Sequence, residues 1–197
     1  LTLRYAPGES FVNSKQRRIP VSLDAPIFTL THAMGFKGVL GGEYSFNRTE
    51  ASVWKRFWLP SSWGKIDCSI KAGAEWNTVP FPLLILPEAN LSYITQRETF
   101  NLINNMEFLN DRFASVSLSY DMNGKLFNRI PLIKNLKWRE MFRVRALWGT
   151  LTDKNNPFKS SNPDLFRFPM RDGKFTSFVM DPKIPYVEAS VGIYNIF

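Results

Sequence analysis

Asp67 and Glu75 are the residues whose type and spacing first invite a catalytic reading, because two carboxylates can divide the acid and nucleophile roles of glycoside cleavage. The stretch from Lys65 to Trp76 alternates like a strand, however, and eight residues of strand rise put the two groups about 26 Å apart. They are too distant to share a substrate. His32 would suit a metal ligand or general base, yet it is the single histidine and no acidic residue stands near it in sequence, so it reads as a strand histidine at an interface. Cys68 is the single cysteine, which leaves no internal disulfide and no thiolate metal site. It reads as a small apolar residue on a strand face. No nucleophile, base and orienting group occur at usable spacing, so the expectation is a protein that is not an enzyme and holds no metal or cofactor.

The elements that would position these residues are strands. In Ala114-Ser115-Val116-Ser117-Leu118-Ser119-Tyr120 every second residue is apolar and serines fill the gaps, a period of two that separates an apolar face from a polar one. Phe142 to Trp148 repeats the pattern with Arg143 and Arg145 on the polar face. Ahead of both, Leu102, Met106 and Phe108 share a side opposite Asn105 and Glu107, which predicts a third central strand closed by a tight turn at Asn110-Asp111. Lys65 to Trp76 sets Ile66, Cys68, Ile70, Ala72 and Ala74 against Asp67, Ser69, Lys71, Gly73 and Glu75. Ile27 to Met34 and Tyr44 to Trp58 add two more strands, the second with a phase slip near Glu50-Ala51 that a bulge would explain. Leu1 to Tyr5 alternates like the middle of a strand, so a targeting signal is expected upstream of it. Pro185 opens a last strand, with Val187, Ala189, Val191 and Ile193 opposed to Glu188, Ser190 and Gly192.

Three connecting stretches stand out. Pro80 to Pro87 is apolar and proline-punctuated, and is expected to pack on the sheet or lie at a membrane boundary without joining a ladder. Asn128 to Arg139 mixes Leu132, Ile133, Leu136 and Trp138 with basic residues, the pattern of a short amphipathic helix or turn, which we expect to be a buried connector. Leu151 to Pro185 is long and irregular, a surface loop with a role or with mobility.

A net charge of +8 would ordinarily suggest an anionic partner. The basic residues are scattered, with no run longer than Arg17-Arg18 or Lys55-Arg56, and no nucleic-acid partner is expected. No apolar stretch approaches the length of a membrane-spanning helix. A mean hydropathy of −0.19 separates nothing, because a barrel averages an apolar face with a polar one.

About eight strands result, and Trp58, Trp63, Trp76, Trp138, Trp148 and Tyr186 near their ends suit interfacial girdles. Two fold classes share this alternation: an antiparallel transmembrane β-barrel, and a soluble β-sandwich or lipocalin-like protein that binds an anionic or lipidic ligand.

Six phrases narrow the choice: LRYAPGE (Leu1 to Glu9), PFPLLILPEANLSY (Pro80 to Tyr93), NLINNMEFLNDRFAS (Asn101 to Ser115), NGKLFNRIPLIKNLKWRE (Asn123 to Glu140), LWGTLTDKNNP (Leu147 to Pro157) and PYVEASVGIYNIF (Pro185 to Phe197). Together they resemble an uncharacterised outer-membrane family of Bacteroides-type Gram-negative bacteria, described as a carboxypeptidase-regulatory-like domain followed by a domain of unknown function. The resemblance implies that residues 1–197 are part of a single C-terminal barrel, distantly similar to the BamA/TamA surface-antigen superfamily. The regulatory-like domain and two closing strands after Phe197 would lie outside this chain. It also implies that Leu151 to Ile184 is extracellular and Asn123 to Arg139 periplasmic, with Pro185 to Phe197 descending to the periplasm. Insertases of that superfamily carry an Arg-Gly motif on a long loop folded into the lumen. The corresponding turn here is expected to be only Leu109-Asn110-Asp111, so translocase activity is not carried over.

The expected fold is thus all-β, an incomplete antiparallel transmembrane β-barrel in the bacterial outer membrane. Ile70, Val116, Leu118, Val144 and Val191 would face lipid. Lys71, Glu75, Ser115, Ser117, Arg143, Arg145 and Glu188 would face the lumen. Its expected partners are outer-membrane lipid, lipopolysaccharide and other envelope proteins, and its role structural, surface-related or concerned with export and assembly.

Overall fold

The computed structural model describes residues 1–93, 96 and 98–196. Its strands in chain order are β1 (Thr2–Tyr5), β2 (Phe11–Asn13), β3 (Arg18–Pro20), β4 (Ile27–Gly35), β5 (Phe46–Trp58), β6 (Lys65–Glu75), β7 (Arg112–Asp121), β8 (Arg139–Thr150), β9 (Met170–Arg171), β10 (Lys174–Phe175) and β11 (Tyr186–Tyr194). Among the described residues a single short α-helix, α1 (Pro131–Leu136), follows a 3-10 turn between β7 and β8. Seven strands form one antiparallel sheet in the order β1-β4-β5-β6-β7-β8-β11, while β2-β3 and β9-β10 are separate small hairpins. The chain is all-β and meandering, and the sheet is open: β1 and β11 are its edges among the described residues.

The register explains why alternation was so readable. One row of paired positions runs Tyr5, Phe28, Val53, Ile70, Val116, Ala146 and Val187 across all seven strands. The adjacent row on that face runs Lys55, Cys68, Leu118, Val144 and Ala189. Rows on the opposite face are polar: Trp54, Ser69, Ser117, Arg145 and Glu188, then Arg56, Asp67, Ser119, Arg143 and Ser190. Because side chains alternate faces, a one-residue slip would exchange the two surfaces, so the pattern itself pins the register.

The polar face is the covered one. Residues 76–111, joining β6 to β7, and residues 151–185, joining β8 to β11, both leave the same end of the sheet and fold back over it. Val79, Leu84 and Leu109 from the first segment pack with Leu151 and Phe168 from the second. Phe100 and Ile103 pack with Met180 and with Leu147 of β8. Each such side chain contributes about 1.5–3 kcal/mol on burial.

Several expectations need correcting. The strand over 102–108 does not form. Phe100, Phe108 and Asn110 make only isolated bridges, and Met106 takes a positive φ of 60° that interrupts any extended run. The sheet therefore has seven strands instead of eight, and Leu109–Asp111 is the end of the long 76–111 crossing, not a tight turn. No bulge interrupts β5, which pairs without a skip with β4 over Phe46–Trp54 and with β6 over Arg48–Trp58. The irregularity at Glu50-Ala51 is only the alternation of a charged inner face with a small outer residue. Residues 151–185 are not a free surface loop, since Leu165, Phe168, Met180, Asn155 and Ser177 are buried. Helix α1 is not a buried connector, because none of its residues is buried. The expectation for Pro80–Pro87 does match: Leu84 and Ile85 are buried against the sheet, around a 3-10 turn at Phe81–Leu83. Phe197, the end of the segment expected to descend to the periplasm, lies outside the described residues.

Candidate functional site

Three buried carboxylates tie the covering segments to the sheet or to each other. Glu188 on β11 meets Arg145 Nη1 at 3.1 Å, and its oxygens accept from the Asn101 and Leu102 backbone N–H groups at 3.0 and 3.2 Å. The side chains of this pair are only 1% and 5% exposed. The Gln96 carbonyl accepts from Arg143 Nη1 at 3.3 Å and Arg145 Nη2 at 3.4 Å. Asp111, at the mouth of β7, accepts from the Thr152 N–H at 3.1 Å and from the Thr152 hydroxyl and Asn155 Nδ2. Asn155 in turn accepts from the Val79 N–H at 2.9 Å. Glu75, closing β6, accepts from the Asn47 and Asn77 N–H groups at 2.8 and 3.2 Å. Charge-assisted bonds of this kind are short and strong, and they offset the desolvation of a buried anion.

Beside these clamps lies a cavity of about 450 Å³, between β5–β8 and the crossing segment's Glu88, Glu98 and Phe100. Its walls hold Arg56, Lys65, Lys71, Arg143 and Arg145 against Asp67, Glu88, Glu98 and Asp121, with Ser69, Ser115 and Ser117 between them. Pairing is extensive. Arg56 donates to both Asp67 oxygens at 2.6 and 2.9 Å, Lys71 to both Glu88 oxygens at 2.8 and 2.9 Å, and Lys65 stands 3.5 Å from Asp121. The arrangement makes a charged compartment near electrical balance. It does not assemble a nucleophile beside a base. Among the described residues no cluster could hold a metal ion.

The opposite face is bare. Phe28, Leu30, Ile70, Leu118, Val144 and Val191 are all exposed, and Val116 is half-buried between its neighbours. At one end of this face the Trp76 indole donates to Thr49 Oγ1 at 2.9 Å, and His32 Nδ1 bonds the same hydroxyl at 2.9 Å. At the other end the Tyr120 hydroxyl donates to the Trp63 carbonyl at 3.1 Å, with Lys125 Nζ 4.9 Å above the Trp63 ring. Two members of the expected girdles belong elsewhere. Trp58 follows the polar face, 5.6 Å from the Arg56 guanidinium, and Tyr186 is turned inward against Phe100 and Phe108, with ring centroids 5.9 and 6.0 Å away.

The five residues expected to face lipid thus share the bare face, and the seven expected to face the lumen share the covered one. Asp67 pairs with Arg56, and Glu75 sits at the far end of the same strand, so the catalytic pair stays dissolved. What sequence reasoning missed is Asp111 with Asn155 and the backbone donors of 101–102. Their signal, an Asn-Asp pair ahead of a strand, looked like a turn.

Residues 1–158 match the model described as the C-terminal domain of a family of unknown function, DUF5686. The match takes in the chain from β1 through β8 and the whole 76–111 crossing. The chain belongs to that family. No curated protein and no solved structure matches it. The Arg145–Glu188 clamp joins the matched DUF5686 span to the strand that follows it.

Proposed function

We propose that this DUF5686 chain is part of an outer-membrane β-barrel whose interior is packed by its own 76–111 and 151–185 segments. Its role is structural, surface-related or concerned with export and assembly, without chemistry of its own. The observation that carries this reading is the bare apolar face: one row of apolar side chains crosses seven strands with nothing over it, while charged residues are buried on the reverse. Soluble proteins rarely expose so extended an apolar surface, and a membrane barrel requires one. Strand length agrees, since β4, β6, β7 and β11 have 9, 11, 10 and 9 residues, and β5 and β8, with 13 and 12, are long enough as well, while a tilted strand crosses a bilayer in about 9–11. No described helix is long and apolar enough to cross a membrane, which leaves crossing by strands open. Lipid and lipopolysaccharide are the expected contacts of the bare face, with other envelope proteins at the loops.

The cavity favours a second reading, a soluble β protein that receives a small anionic or lipidic ligand among Arg143, Arg145 and Lys71. One experiment separates the two. Alkaline carbonate extraction of membranes carrying the full-length protein, followed by gels run with and without boiling, gives a pellet and a heat-dependent mobility shift for the barrel. Release into the supernatant with unshifted mobility rejects the barrel and leaves the cavity as the site to probe.

A further inference from the structure

We infer that the β7–β8 connection, residues 122–138, is an anchor that lays exposed leucines into the headgroup boundary of the bilayer and sets lysine and arginine against lipid phosphates. The inference rests on the barrel reading and adds to it a second, electrostatic contact with lipid. From Met122 to Trp138 there is no acidic residue, while Lys125, Arg129, Lys134 and Lys137 are all present. Apolar side chains stand exposed among them: Leu126, Ile130, Leu132 and Leu136 are 43%, 45%, 83% and 50% exposed. Apolar and cationic side chains displayed together form the signature of a segment lying in a membrane interface.

The segment is also held in place. Glu140 Oε1 accepts from the Leu126 N–H at 2.7 Å, Lys125 Nζ donates to the Ser61 carbonyl at 3.1 Å, and Asn195 Nδ2 donates to the Lys137 carbonyl at 2.8 Å. These bonds fix the segment at the Tyr120 and Trp63 end of the bare face, so its exposed leucines are held beside that face instead of hanging free. The β4–β5 connection at the opposite end is an internal control. It exposes Phe36, Val39 and Leu40, but it carries one Lys37 against one Glu43 and has no net charge to offer a phosphate.

The test uses the full chain folded into phosphatidylcholine vesicles with or without phosphatidylglycerol, on a Cys68→Ala background. An environment-sensitive fluorophore is placed by Leu132→Cys, and in a second protein by Leu118→Cys, and each is challenged with lipids carrying a quencher at shallow or deep acyl positions. The anchor predicts that the Leu132 site is quenched by the shallow lipid and more strongly when phosphatidylglycerol is present. Neutralising Arg129, Lys134 and Lys137 to Gln should weaken the phosphatidylglycerol dependence by about fivefold per charge. Quenching at Leu118 by the deep lipid with none at Leu132 overturns the anchor, leaves the barrel standing and points to a soluble acidic protein as occupant. Quenching at Leu132 alone rejects the barrel, and the anchor, which rests on it, falls with it. Quenching at neither site rejects both, and quenching at Leu132 that ignores phosphatidylglycerol overturns the phosphate contact.

Discussion

Val144 and Arg145 are neighbours in one strand, yet Val144 is 48% exposed and Arg145 is 1% exposed. The two faces of this sheet invert the usual order, in which charges stay wet and branched aliphatics go inside. On the outer face the apolar residues gain nothing from the protein. On the inner face each buried charge is answered by an opposite charge, a backbone N–H or a carbonyl. The inversion teaches that the solvent of each face can be read from what the protein supplies to it. Where the protein supplies hydrogen bonds, water has been displaced by the chain itself; where it supplies nothing to large apolar groups, the proposed barrel would set lipid against them.

The largest effect should come from breaking the inner clamp. Glu188→Ala removes the carboxylate facing a buried guanidinium and releases the 101–102 backbone donors, and is expected to cost about 3–5 kcal/mol. An Arg145→Met, Glu188→Leu double variant should cost less than the single change, because no charge is then left buried alone. Urea titration of the heat-shiftable folded band in vesicles measures both. A single-variant loss below about 1 kcal/mol would show that the covering segments are held by their apolar contacts instead.

The outer face is next. Val144→Arg should cost about 2–4 kcal/mol in vesicles, since the row it occupies lies near mid-strand. Ser69→Arg on the cavity wall, with Asp67 two residues away on the same face, should stay within about 0.5 kcal/mol. Equal tolerance of the two substitutions would erase the contrast between the faces and with it the case for lipid.

The strands were legible because both faces constrain the same residues, one demanding apolar side chains and the other polar, so β6, β7, β8 and β11 stand out by period alone. The covering segments were illegible for the converse reason. Their backbone groups are satisfied by distant side chains such as Glu188 and Asp111, and no local period records a bond across 87 positions, as between Asn101 and Glu188. Residues 102–108 imitate a strand in sequence only, since Leu102 is 73% exposed while Ile103, of the other parity, is buried. The seven inner-face site residues were found by parity; their partners were not, since parity says nothing of what lies opposite.

A smaller effect tests that fit between segment and sheet. A Cβ at Gly149 would collide with the Asn110 side chain, and the Asn110 backbone pairs with Ile85 in both directions, at 2.8 and 3.2 Å. Gly149→Ala is expected to cost about 1–3 kcal/mol by overpacking. It should speed hydrogen exchange at the Ile85 amide while amides of β6 keep their protection. Unchanged exchange at Ile85 would mean that the crossing segment yields without loosening.

The smallest effect belongs to the pair with the same chemistry in the opposite setting. Arg4 donates to both Glu9 oxygens at 2.8 and 2.7 Å, as complete a fork as any among the described residues, but at the edge of the sheet, where the Arg4 side chain is 46% exposed although that of Glu9 is only 4% exposed. The Arg4 hydrogen bonds hold the Glu9 carboxyl below the usual carboxylate range. A carboxylate depressed in the folded state stabilises above its ordinary range and loses that contribution as pH falls through the lowered value. Glu9→Gln should therefore differ slightly from the parent at neutral pH, and the two should converge in acid and in high salt, where exposed pairs are screened. The Glu188→Ala deficit should change little in high salt, because the side chains of the pair are only 1% and 5% exposed and buried pairs are screened much less. A salt-sensitive Glu188 deficit would place that clamp in contact with bulk water and make the two faces alike.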